Sequence, residues 1–168
     1  LALASTVRAD EYRESVRVRA GGTLEVDLVA GALEIETHDE NSVDVEARSG
    51  GWAGALTFEL SGDGTNAKLV GSRGGWLPGG FGTRVRVRVP ESYSLDLKTG
   101  GGGIEIEAVR GQVRAETGGG GIELEGAVGP VELSTSGGSL RVADVQGDTV
   151  LRTSGGSIRL SDVSGDVE

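Results

Sequence analysis

The chain is expected to be all-β, and within that class a single-stranded parallel β-helix with an irregular N-terminal β cap or edge sheet. Three observations predict it. Glycine returns every nine residues at Gly102, Gly111, Gly120, Gly129, Gly138, Gly147, Gly156 and Gly165. Apolar residues follow most of these glycines at alternate positions: Ile104/Ile106, Val113/Ala115, Ile122/Leu124, Val131/Leu133, Leu140/Val142 and Ile158/Leu160. Period-two alternation is a strand signal, and no stretch carries a helical period of 3.6. The 31 glycines and 3 prolines among 168 residues are therefore punctuation in an ordered repeat, not the composition of a disordered chain.

Taken in order, residues 1–15 read as an N-terminal arm that begins with the tail of an export signal. Ala2 and Ala4 have the small-residue spacing of a signal-peptidase site. Residues 16–92 read as the cap sheet. Gly22 leads Leu24 and Val26, Gly31 leads Leu33 and Ile35, and Val43, Val45 and Ala47 follow slipped by one residue. Strands are then expected over 56–60, 67–70 and 85–89, with hairpin-like joins, the first around the turn at 61–66. Such a cover answers the exposed backbone at the end of a stack of strands.

Residues 93–168 read as the regular part, continuous with the cap in a single domain. Here the repeat is better written at eighteen residues than at nine. TGGGGIEIE from Thr99, TGGGGIELE from Thr117, TSGGSLRV from Thr135 and TSGGSIRL from Thr153 are successive copies, and a second corner falls midway at Gly111, Gly129, Gly147 and Gly165. Nine residues at about 3.3 Å each cannot close a coil around side chains, whereas eighteen with two corners make a flattened coil of two strands. Ile104, Ile122, Leu140 and Ile158 should then stack, as should Ile106, Leu124, Val142 and Leu160. Thr99, Thr117, Thr135 and Thr153 should form a corner ladder whose hydroxyls bond neighbouring coils. The calcium-binding nonapeptide solenoid is excluded, because each nonapeptide here carries two apolar residues and lacks its aspartate. The last coil has no cover: the sequence stops at Glu168 just inside a new strand, so either the chain continues or this end pairs, giving end-to-end self-association.

Few residues suggest chemistry. A formal net charge of −10 disfavours nucleic acid as a partner, and no segment has the length of a membrane-spanning helix. Without cysteine there is no disulfide or thiolate metal site, and no cofactor is implied. The one histidine, His38, reads as a solvated turn residue. Outward carboxylates such as Glu105 and Glu123 read as solvated strand faces. Asp144 and Asp162, like Asp148 and Asp166, are one coil apart near the second corner, so these four are the candidate calcium ligands. Trp52, Trp76 and Phe81 lie in glycine-rich stretches and are the candidate ligand-binding residues, suited to stacking on a glycan or docking on an envelope protein.

The segments GTLEV from Gly22, GALEI from Gly31, VRVRVP ending at Pro90 and LDLKTGGGGIEI from Leu95 resemble the bacterial β-strand-repeat family known as putative adhesins, related to the auto-transporter adhesin head GIN domain. The resemblance runs from about Val16 to the C-terminus. It implies an exported bacterial β-helix with no catalytic residues to assign. The expected function is thus a non-enzymatic, extracytoplasmic structural or adhesin-like binding module. The alternative is a carbohydrate-active β-helix of polysaccharide lyase or hydrolase type, which needs two carboxylates, or a carboxylate and an arginine, converging in a concave site.

Overall fold

The computed structural model describes residues 11–49, 56–73 and 82–168. Among them there is no helix; fifteen strands build two mixed sheets. The strands are β1 (Glu11–Arg17), β2 (Thr23–Leu28), β3 (Ala32–His38), β4 (Ser42–Ser49), β5 (Leu56–Gly62), β6 (Ala67–Arg73) and β7 (Thr83–Pro90). They continue as β8 (Ser94–Thr99), β9 (Ile104–Arg110), β10 (Val113–Thr117), β11 (Ile122–Val128), β12 (Val131–Thr135), β13 (Leu140–Gln146), β14 (Thr149–Thr153) and β15 (Ile158–Ser164). Sheet 1 runs β1-β4-β7-β3-β9-β11-β13-β15, and sheet 2 runs β14-β12-β10-β8-β2-β6-β5.

From β8 onward the chain alternates between the sheets, and every pairing among β8–β15 is parallel at a step of eighteen residues. Ile122 pairs with Ile104 and Leu140, and Leu140 with Ile158. In sheet 2 Val113 pairs with Leu95 and Val131. Inward residues of the two sheets meet in one core that includes Ile104, Ile106, Leu124, Leu133 and Val142. The threonine ladder forms as expected. The hydroxyls of Thr117, Thr135 and Thr153 donate to the carbonyls of Gly102, Gly120 and Gly138, each at 2.8 Å. Glycine at this corner is demanded by stacking: a Cβ on Gly138 would lie 2.0 Å from the Gly120 carbonyl oxygen.

The structure adds a core row that alternation hides. β9, β11, β13 and β15 each run on to the residue before the second-corner glycine, and Val109, Ala127 and Val145 near their ends are buried. One extra outward residue makes this possible. Ala108, Gly126, Asp144 and Asp162 all take positive φ (49°, 74°, 53° and 50°), shifting the inward side from even to odd positions. Such a left-handed residue costs Gly nothing and Asp little, which accounts for the residue types chosen at three of the four positions.

Less of the N-terminal half is irregular than its sequence suggests. β2 pairs in parallel with β8 (Leu24 with Leu95) and β3 with β9 (Leu33 with Ile104), so residues 23–38 form a unit of the same kind. On their other side β6 and β7 pair in parallel with β2 and β3. Only β1, β4 and β5 run antiparallel to their neighbours. A hairpin joins β5 to β6 as expected, but β6 and β7 belong to different sheets, and the 43–47 stretch reverses against β7 instead of extending the repeat. At this end Tyr12 on β1 and Phe58 on β5 bring their rings to 5.5 Å across the sheets and close the core. At the opposite end, Ile158 and Leu160 of β15 are each 42 % exposed.

Candidate functional site

Trp52, Trp76 and Phe81 lie outside the described residues, but the strands that carry their segments are defined. Residues 50–55 connect Ser49 in sheet 1 to Leu56 in sheet 2, and 74–82 connect Arg73 in sheet 2 to Thr83 in sheet 1. Ser49 is the register partner of Thr83, and Leu56 that of Arg73. Both glycine- and tryptophan-rich segments therefore leave from one edge between the sheets, anchored side by side. The same edge carries the glycine corners: the Val29 N–H bonds the Gly71 carbonyl at 3.0 Å, and Gly31 abuts Thr83.

At the second corner three of the four aspartates have local structural jobs. Asp144 and Asp162 occupy the left-handed position, and Asp148 Oδ1 accepts the Asp166 N–H at 3.2 Å. They do not bring three carboxylate oxygens within 4.8 Å of one another; among the described residues the set of ligand atoms that meets this condition surrounds His38.

The outer faces are ruled with charge pairs that the register places opposite each other. Glu34 meets Arg84 and Arg86 at 3.1 and 3.0 Å, and Arg141 meets Glu123 at 3.0 Å. On sheet 2, Arg114 and Arg152 bracket Glu132 at 2.7 and 2.9 Å, and Arg114 above all holds the Glu132 carboxyl below its usual range. A groove of about 620 Å³ crosses β1, β4, β7 and β3, lined by Arg13, Glu36, Asp44, Glu46, Arg86 and Arg88 among others. Its composition matches what a polysaccharide-cleaving site needs. Its carboxylates are engaged, however: Glu36 with Arg86, Glu46 with Arg13 and Arg48, Asp44 with the Ser15 hydroxyl.

Two turns at the closed end are pinned by polar contacts. Asp63 Oδ1 accepts the N–H groups of Asn66 and Thr65 at 2.7 and 2.8 Å, which holds its carboxyl below the usual range, Asn66 contributing most. The Tyr93 hydroxyl donates to the Thr65 carbonyl, and burial, with Asp63 nearby, pushes its pKa up to about 12. Burial beside Glu14 likewise raises that of Tyr12. His38 differs from the solvated turn residue expected of it. Its side chain is 14 % exposed and its Nε2 lies 2.8 Å from the Ser42 carbonyl oxygen. Glu40 and Asp44 beside it were not legible as partners, because Asp44 reads from sequence as an ordinary outward strand residue.

The fold and face define an all-β protein of two mixed sheets with its irregularities gathered at one end. No family model and no curated protein matches the chain. Among solved structures it is similar to a "putative cell adhesion protein" from Clostridium sporogenes ATCC 15579, at 14 % identity and TM-score 0.54, over 90 % of this chain and 99 % of the other. A "putative adhesin" from Bacteroides fragilis NCTC 9343 superposes at TM-score 0.37 and 9 % identity, over 94 % and 95 % of the two chains. A "putative lipid binding protein" from Parabacteroides distasonis ATCC 8503 does so at 0.27 and 9 %, over 95 % and 97 %. The first comparison establishes shared fold; the other two superpose too loosely to carry an argument. None of the three is named as an enzyme, and no helix among the described residues is long and apolar enough to cross a membrane.

Proposed function

We propose that this chain is a non-enzymatic, adhesin-like binding module exported to the bacterial cell envelope. In this reading the eighteen-residue units wind as a β-solenoid scaffold, and recognition resides in the segments bearing Trp52, Trp76 and Phe81. The observation that carries the reading is the shared anchorage of those segments, through the Ser49–Thr83 and Leu56–Arg73 register pairs. Aromatic side chains in two segments with neighbouring anchors suit the face of a sugar ring or an apolar patch on a partner. The fold shared with a protein named for cell adhesion supports the same class. Fold alone does not assign a ligand, so the aromatic segments bear the proposal.

A glycan and envelope-protein binding screen, run with wild type, Trp52→Ala and Trp76→Ala, tests it. The expected result is a ligand bound by wild type and lost by both variants. A ligand equally bound by all three would move the site elsewhere. Polysaccharide cleavage in the groove at Arg86 and Arg88 is the competing reading. Release of unsaturated or reducing ends from acidic polysaccharides would establish it in place of the first. End-to-end self-association at β15, where Ile158 and Leu160 are exposed, belongs to the same proposal. Light scattering across a concentration series checks it, and a constant monomer mass removes it.

A further inference from the structure

We infer that His38, Glu40 and Asp44 form a binding site for a first-row divalent cation, Zn²⁺ fitting its donors best. One nitrogen and two carboxylate oxygens, each from a different residue, lie within 4.8 Å of one another. They gather where β3, parallel to β7, ends, and β4, antiparallel to β7, begins.

The decisive detail is the tautomer of the histidine. Nε2 stands 2.8 Å from the Ser42 carbonyl oxygen, which only accepts, so Nε2 carries the hydrogen. β7 finishes beside it at Pro90, the register partner of His38, which has no N–H to offer that carbonyl. In the neutral ring Nδ1 is then a lone pair, and it faces Asp44 Oδ2 at 3.7 Å with the Glu40 carboxylate close by. His38, Glu40 and Asp44 thus offer three ligand atoms to one cation. Tetrahedral bonds of about 2.0 Å would set the ligand atoms roughly 3.3 Å apart, a contraction of a few tenths of an ångström for the His38–Asp44 pair.

Supporting hydrogen bonds are also in place. The backbone carbonyl fixes the ring through Nε2–H, as it does for metal-bound histidines generally. The Ser15 hydroxyl donates to Asp44 Oδ1 and leaves Oδ2 for the site. Arg88 is opposite Asp44 in the β4–β7 register, yet the closer partners of that carboxylate are Ser15 and His38. A further, independent observation concerns Ser42. This residue is 8 % exposed, on the same face of β4 as Asp44, and its buried Oγ has no hydrogen-bond partner among the described residues. An aqua ligand on the metal would supply one. Imidazole beside carboxylate selects Zn²⁺ and its neighbours in the first row over Ca²⁺, which takes oxygen ligands. Glu40 is exposed, so one coordination position remains open to solvent or to a donor from a bound partner.

The single histidine and the absence of cysteine make the test clean. Chelator-stripped, tag-free protein is titrated with Zn²⁺ by calorimetry at pH 7.5, and with Ca²⁺ in parallel. The expected result is one equivalent of Zn²⁺ bound, with Ca²⁺ about 100-fold weaker or silent. Glu40→Gln, in an exposed turn, and His38→Gln should each abolish saturable binding, while Ser15→Ala weakens it about tenfold or more. The imidazole ¹H–¹⁵N spectrum, which reads His38 alone, should show Nδ1 perturbed on addition of Zn²⁺. The inference is overturned by either of two results: no saturable heat up to millimolar Zn²⁺, or binding that survives in His38→Gln.

Discussion

The two ends of the sheets are built on opposite principles. Beyond β8 each unit copies its predecessor, and the backbones approach so closely that glycine and threonine are dictated by stacking. Before β8 the same parallel pairing is interrupted by antiparallel strands and by an aromatic closure at Tyr12 and Phe58. Repetition makes an even surface on which Arg114 and Arg152 pair with Glu132, and Arg141 with Glu123. The proposed function assigns scaffold and recognition to these two different regions.

The largest effect that sharpens this contrast is at a stacked glycine. Gly138→Ala would drive a Cβ to 2.0 Å from the Gly120 carbonyl, whereas Gly101→Ala meets nothing within 4 Å. The first should lose about 4 kcal/mol or unfold the array, and the second should stay within about 0.5 kcal/mol of wild type, both read by urea melts. Equal midpoints would show that the units are looser than their geometry. Next comes the gradient along the stack. Leu124→Ala, at a fully buried position, should cost about 2–4 kcal/mol, and Leu160→Ala, at the exposed edge, under about 1 kcal/mol.

The regular region was legible because its partners are eighteen residues apart and the period records them. Elsewhere the period is silent for identifiable reasons. β2 and β3 find their partners in β8 and β9 only after the chain has built four other strands, and no local pattern in Leu24 or Leu33 reports so distant a neighbour. The buried row at Val109, Ala127 and Val145 was hidden by the left-handed residue ahead of each, which breaks alternation. His38 looked solvated because burial depends on β4 folding back across the end of β7, a reversal that alternating residues do not announce.

A smaller effect belongs to the closed end alone. Tyr93 has a pKa pushed up to about 12 by burial, above its unfolded value near 10. Its contribution to stability is therefore complete below pH 10 and lost as pH rises through the folded value. Alkaline titration followed by tyrosinate absorbance should show no ionised Tyr93 at pH 10.5 while the fold persists. Half-ionisation at pH 10 would contradict its burial. Smallest of all should be Arg114→Ala on the sheet 2 face, where the ion pair with Glu132 is open to solvent. Its melting midpoint should match that of wild type, and a clear drop would give the charge ladder a structural weight that solvent screening denies it.

The division of labour itself is tested most directly by affinity. For the strongest ligand from the binding screen, the dissociation constant is compared across Trp52→Ala and Trp76→Ala on one side and Glu123→Ala and Arg114→Ala on the other. The account predicts a loss of about tenfold or more for each tryptophan and less than about twofold for the face variants, all four remaining folded. Face variants that lose binding while the tryptophan variants keep it would contradict the account and return recognition to the repeat.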